Sequence, residues 1–164
     1  MTGALNFELH ENEEVRRIRL ILELLGGDTT FKSQLSSILE AHEMIIRGFP
    51  STALTSLCEK ITLFQRPDDV YFRALGISQR TFQRRKADGD FKTLSSEQSG
   101  RAWKLAEVVA KAIEVFGSQE EAEQWLDRPA IGLNQNRPIE LLSTTAGTEV
   151  VEQYLERMEY GVYA

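Results

Sequence analysis

Apolar residues recur at spacings of three and four along nearly the whole chain, and no stretch sustains the apolar–polar alternation of a half-buried strand. The pattern predicts an all-α fold. Val15, Ile18, Leu20, Ile21, Leu22, Leu24 and Leu25 form a first helix ended by Gly26 and Gly27, and Phe31, Leu35, Ile38, Leu39, Met44 and Ile45 form a second, broken by Gly48 and Pro50. Ser51 is placed to cap a third helix carrying Leu54, Leu57, Ile61 and Leu63, and Pro67 with Asp68 and Asp69 opens the next. The pattern then predicts a long helix over 96–116, stopped by Gly117, whose residues Leu105, Val108, Val109, Ala112, Ile113, Val115 and Phe116 cover more than one face. Such a helix must be buried on several sides. A short helix over 119–126, a loop bounded by Pro129 and Pro138, and a closing helix over 145–158 complete the chain. Trp125, Leu126, Leu141, Leu142, Val150, Val151 and Leu155 have the spacing of a small helical core, and Glu120, Glu121 and Glu123 read as a solvated face.

Residues 70–86 read as a short helix, a glycine turn at Gly76, and a second helix starting at Ser78: a helix-turn-helix layout. Gly76 permits the reversal, Ile77 tucks under it, and the Ser78 hydroxyl caps the second helix. With Phe82 facing inward, Gln79, Arg80, Gln83 and Arg84 project from the other side. Arginine and glutamine make bidentate contacts to guanine and adenine edges in the major groove, while Arg85 and Lys86 can neutralise phosphates. The Arg84-Arg85-Lys86 triplet also suits a solvated helix end, where positive charge complements the dipole. One feature departs from the usual layout: Phe72 stands four positions before the turn glycine, where a small residue is usual.

The chain of 164 residues is long enough for one or two modules and carries a net charge of −6, which by itself argues against a nucleic-acid partner. Sorted by segment, the charges say otherwise. Residues 1–65 carry 6 basic and 9 acidic side chains, residues 66–104 carry 9 and 5, and residues 105–164 carry 4 and 11. A basic middle between acidic flanks points to nucleic acid at the centre and a different partner for the acidic end. With no secretory signal and no apolar run near the roughly 18 residues of a membrane span, a cytoplasmic protein is expected. The lone Cys58 falls in an apolar helical pattern and reads as core. His10 and His42 lie far apart without cysteine partners, so no metal is expected. No phosphate-binding glycine loop, metal cluster or nucleophile with its base is present, and no enzyme and no cofactor are expected.

The C-terminal third carries the most specific text: Ala112-Ile-Glu-Val-Phe-Gly-Ser, Ala122-Glu-Gln-Trp-Leu-Asp-Arg-Pro129, Gly132-Leu133, Arg137-Pro-Ile-Glu-Leu-Leu-Ser-Thr144, Gly147, Val150-Val151, Leu155-Glu-Arg157 and Tyr160-Gly161-Val162-Tyr163-Ala164. This resembles the C-terminal toxin-binding domain of the Xre/MbcA/ParS antitoxin family. The resemblance spans about residues 66–164 and takes in Leu75-Gly-Ile-Ser, Arg80-Thr81, Arg84-Arg85 and Ser99-Gly-Arg101. Asn134-Gln135-Asn136 departs from it, since the family commonly has a glycine pair there; asparagine, too, tolerates left-handed turns. The chain then divides into the helix-turn-helix and long connecting helix over 66–111, the toxin-binding domain over 112–164, and a helical N-terminal region over 1–65 that falls outside the resemblance and is assigned to oligomerisation and to completing the helix-turn-helix core.

The resemblance implies the antitoxin of a type II toxin–antitoxin system. Its partner would be a RES-type toxin, a class that resembles ADP-ribosyl transferases and consumes NAD, and it would repress its own operon by binding promoter DNA as a homodimer. DNA contacts then fall to Ser78, Gln79, Arg80, Gln83, Arg84, Arg85 and Lys86, and toxin contacts to Arg157, Glu159, Tyr160, Gly161, Val162, Tyr163 and Ala164. The two terminal tyrosines around Gly161 offer rigid contact area suited to blocking a cleft. The alternative is a solitary helix-turn-helix transcriptional regulator with a ligand pocket in residues 105–164 and no toxin.

Overall fold

The computed structural model describes residues 12–66, 68–88 and 92–161. Among them the chain is all-α: nine α-helices and three short 3-10 turns, with a single isolated antiparallel bridge between Pro50 and Thr93 in place of any sheet. The helices are α1 (Glu13–Leu24), α2 (Ile38–Arg47), α3 (Ser51–Lys60), α4 (Asp69–Arg73), α5 (Gln79–Ala87), α6 (Ser96–Phe116), α7 (Gln119–Leu126), α8 (Pro138–Leu141) and α9 (Thr145–Glu159). No helix of the described residues is long and apolar enough to cross a membrane.

The long helix α6 is the axis of the fold, and α1, α2, α3, α7 and α9 all pack on it. Its composition makes this possible. Ala102, Ala106, Ala110 and Ala112 are fully buried and let neighbouring helices approach closely, while Trp103, Leu105, Val108 and Val109 fill the spaces between them. Ser95 caps the helix by accepting from Gln98 N, and Gly117, at φ +90°, ends it in the left-handed conformation. Ser99 is buried within α6 because its hydroxyl accepts from the Phe49 amide at 2.8 Å, which pins the α2–α3 connection to the axis. Burial also pushes the thiol of Cys58 above its ordinary range.

Local structure differs from the periodicity at three places, each for a physical reason. The second helix starts at Ile38, not near Phe31, because Ser37 caps it through Glu40 N. Phe31 and Leu35 instead belong to the preceding loop, where Phe31 packs edge-on against Phe49 at 5.3 Å. Ser51 is the first residue of α3 and not its cap; Pro50 takes the cap position, and Ser51 Oγ is left without a hydrogen-bond partner. Ile61 closes α3, and Leu63 lies in a 3-10 turn over Thr62–Gln65.

Candidate nucleic-acid and partner interfaces

In the helix-turn-helix, Asp68 caps α4 by accepting from Val70 N, and Gly76 turns the chain at φ +68°. A Cβ on Gly76 would lie 2.9 Å from the Arg101 side chain, which crosses the turn, so this glycine answers both conformation and space. Ser78 Oγ accepts from Thr81 N at 3.0 Å and caps α5. Phe72 resolves its departure from the usual pattern by aromatic packing: its ring meets Phe64 edge-on at 5.1 Å and Phe82 at a tilt at 5.5 Å, and all three are buried. The aromatic cluster replaces the close helix approach that a small residue would give.

Phe82 faces the core, and Arg80, Gln83 and Arg84 stand exposed on the other side of α5. The remaining residues assigned to DNA are partly committed elsewhere. Gln79 is half-buried, with its backbone N–H donating to Asp69 Oδ1 at 3.2 Å, and the Ser78 hydroxyl is held by its capping bond. Arg85 donates to Gln98 Oε1 at 2.8 Å, and Lys86 pairs with Glu59 at 3.3 Å. The fold therefore presents Arg80, Gln83 and Arg84 outward and ties Arg85 and Lys86 to α6 and α3.

The C-terminal helices are fastened to this module by two carboxylates. Glu123 is buried, unlike its neighbours Glu120 and Glu121; it accepts from the Thr62 and Leu63 amides at 3.2 Å each, from Gln119 Nε2 at 2.7 Å and from the Thr62 hydroxyl. It thereby satisfies the free amides that open the 3-10 turn. Asp127 accepts from the Tyr71 hydroxyl at 2.8 Å and Arg137 at 3.1 Å and also pairs with Arg66. Hydrogen bonding to Tyr71 and the Asp127 charge raise the Arg66 pKa.

Arg157 is exposed and its guanidinium lies 5.8 Å from the Tyr154 ring centroid. Helix α9 extends through Glu159, which pairs with Arg17 of α1 at 3.4 Å, so the chain leaves the helix only at Tyr160. Tyr160 is 76% exposed and Gly161 is left-handed at φ +67°. Val162, Tyr163 and Ala164 lie outside the described residues.

Two further apolar residues of the C-terminal segment are exposed, one of them against the expectation from pattern. Ile131 is 85% exposed at the tip of the loop after α7, and Val150, placed in the core by its sequence, is 44% exposed on α9. The phase of α9 explains Val150: Val151 and Leu155, four apart, are buried, and Val150 falls off that stripe. The Ile131 loop is closed by its own hydrogen bonds. Its Ala130 carbonyl accepts from Leu133 N and Gln135 N, Asn134 and Gln135 both adopt positive φ, at 53° and 64°, and Gly132 lies against the Tyr154 ring. Asparagine does take the left-handed turn in place of the family's glycine, and a glutamine follows it into the same region. Tyr154 stacks on Trp125 at 5.9 Å, and Trp125 meets Phe116 at a tilt at 5.2 Å, so the loop rests on a row of aromatic rings.

Between α6 and the α8–α9 turn runs a groove of about 890 Å³ lined by Gly100, Arg101, Lys104, Leu142, Thr145 and Thr148 among others. Among the described residues no group of three His, Cys, Asp or Glu side chains is placed to hold a metal ion.

Two protein-family models match the chain. The antitoxin Xre-like helix-turn-helix domain matches residues 40–107, and the antitoxin Xre/MbcA/ParS C-terminal toxin-binding domain matches residues 111–161. Curated relatives named Antitoxin Xre include one from Photorhabdus laumondii, 32% identical over 123 residues covering 74% of this chain and 79% of the relative. Another from Pseudomonas putida is 29% identical over 130 residues, 78% and 76% of the two chains, and one from Yersinia enterocolitica is 33% identical over 100 residues, 60% and 66%. With both halves matched in order and both built as described above, the chain belongs to the Xre/MbcA/ParS antitoxin family.

Proposed function

We propose that the chain is a cytoplasmic type II antitoxin that binds and blocks a RES-type, NAD-consuming toxin and, as a homodimer, represses its own operon. The observation that carries this reading is the pairing of two separate exposed faces in one chain. One is the Arg80, Gln83 and Arg84 face of α5, which supplies donors for the major groove. The other is the set of exposed apolar side chains Ile131, Val150 and Tyr160, which fall within the stretch matched by the toxin-binding family model.

In this reading the domain surface grips the toxin, and the segment from Tyr160 onward covers its substrate cleft. Arg157 and Glu159 position that segment, Glu159 through its ion pair with Arg17. Tail loss then separates grip from inhibition. Deleting residues 160–164 should leave a complex with the toxin encoded beside this chain that still co-purifies yet no longer protects cells. If cells making the truncated chain survive toxin induction as well as those making the full chain, the blockade comes from the domain surface.

A solitary transcriptional regulator is the second reading, favoured by the 890 Å³ groove along α6, part of whose lining comes from residues 105–164. The two readings part on one assay: only the antitoxin neutralises a toxin encoded beside it.

A further inference from the structure

Six large apolar side chains are exposed among the described residues, and they fall into two groups. Ile131, Val150 and Tyr160 belong to the C-terminal face already discussed. The other three, Ile38 at 48%, Leu39 at 68% and Ile46 at 62% exposure, sit on the ten-residue helix α2 and have no role in that reading. At about 100° per residue, Ile38, His42, Ile46, Leu39 and Glu43 fall in one stripe about 140° wide. The fold uses the opposite side: Ala41 is buried, Met44 and Ile45 pack on the core, and Ile45 lies against Gly100 of α6. Helix α2 therefore has two apolar sides, one satisfied by its own chain and one facing water. The apolar surface of α1 and α6, by contrast, is covered internally.

We infer that the outer stripe of α2 docks a second copy of this chain, the two α2 helices pairing antiparallel about a two-fold axis that passes between His42 and Glu43. The order of residues selects this occupant, because the stripe is complementary to itself. In that register Leu39 meets Ile46 of the second copy, His42 meets Glu43 of the second copy, and Ile38 lies along the aliphatic stem of Arg47 of the second copy, each contact occurring twice. A register one residue shorter sets His42 on His42 and leaves both Glu43 carboxylates without a cation across the interface. A helix of this length is about 15 Å long, so the contact lies below the roughly 1,200 Å² of a standard interface. The free dimer is accordingly weak, and two promoter half-sites reinforce it.

This inference rests on the homodimer of the proposed function, but its test needs neither toxin nor DNA, so its failure is told apart from failure of the rest of that reading. Sedimentation velocity on the full chain should show a dimer at about 100 µM protein. Leu39→Glu with Ile46→Glu should weaken it by more than about tenfold and leave the circular dichroism spectrum unchanged, since both side chains are exposed. The register is read by cysteine cross-linking. Leu39→Cys with Ile46→Cys in one chain should oxidise readily to a covalent dimer, whereas either single variant should not. Like positions are offset by about 10 Å along the pair, beyond the roughly 7 Å Cα separation a disulfide spans, and the same offset prevents a link within one chain. Cys58 is buried and does not compete. A monomer at that concentration, an unweakened double-glutamate dimer, or single variants that link as fast as the double one would each overturn the inference.

Discussion

Helix α5 meets solvent through Arg80, Gln83 and Arg84 and keeps its apolar side chain, Phe82, inside, whereas the C-terminal helices turn Ile131, Val150 and Tyr160 outward on a segment where 4 basic side chains face 11 acidic ones. The two faces suit partners of opposite character. Charged donors on a helix act at range, are screened by salt and gain by releasing counterions from a polyanion. Exposed aliphatic and aromatic groups act only on contact and respond little to salt. The chain thus carries a charged set of donors on α5 and an apolar set on its C-terminal segment, chemistries suited to different partners. Glu123 and Asp127 join the two regions through hydrogen bonds to Leu63 and Tyr71.

The largest effect should come from removing the long-range face. Arg80→Ala with Arg84→Ala should cost about 2–6 kcal/mol of promoter affinity, two bidentate base contacts at about 1–3 kcal/mol each. A gel-shift titration across salt concentrations checks it. Arg85→Ala should cost less, because Arg85 is already engaged with Gln98. Full operator affinity in the Arg80/Arg84 variant would remove α5 from the role of reader.

Breaking the joint comes next. Glu123→Ala strips the Thr62 and Leu63 amides of their acceptor in a buried site and should destabilise the fold by about 1–3 kcal/mol, seen in urea titration. An unchanged midpoint would mean that water replaces the carboxylate and the joint is looser than its geometry. Ile131→Asp addresses the contact face. With its side chain almost wholly exposed, it should leave thermal stability within about 0.5 kcal/mol while weakening the toxin complex by about 1–2 kcal/mol, measured by calorimetry. Equal toxin affinity would move the grip elsewhere on residues 112–161.

A smaller effect concerns pH. Burial opposes ionisation of Glu107, yet Lys104, donating at 2.8 Å, and nearby Lys111 hold its carboxyl below the ordinary 4.5. A carboxyl lowered in the fold stabilises the protein above its unfolded value, and that contribution is lost as pH falls through the folded value. Thermal midpoints should therefore decline below about pH 4.5, and Glu107→Gln should flatten that part of the profile. A wild-type slope retained in the variant would place the acid sensitivity on other carboxylates.

Much of this organisation is legible in the sequence. The end of α6 follows from Gly117, whose left-handed role is set by local chemistry. Gly76, Ser78 and Phe82 place α5 in the same way. What escaped depends on contacts distant in the chain. Glu123 looks like its solvated neighbours because its partners, Thr62 and Leu63, lie about sixty residues earlier. Phe72 reads as a misfit until Phe64 and Phe82 close around it. Arg85 and Lys86, read from the sequence as phosphate contacts, also have partners in Gln98 and Glu59 that pattern alone does not announce. Ile131 carries no periodicity, and its exposure is set by the hydrogen bonds of its own loop.

The separation of the two faces is tested most directly by a double dissociation on a single panel: wild type, Arg80→Ala with Arg84→Ala, and Ile131→Asp combined with removal of residues 160–164. Each is scored for promoter binding by gel shift and for survival of cells co-expressing the toxin encoded beside this chain. The arginine variant should lose the promoter and still protect cells, while the C-terminal variant should bind the promoter and fail to protect. Loss of both activities in either variant, with the fold intact by circular dichroism, would contradict that separation.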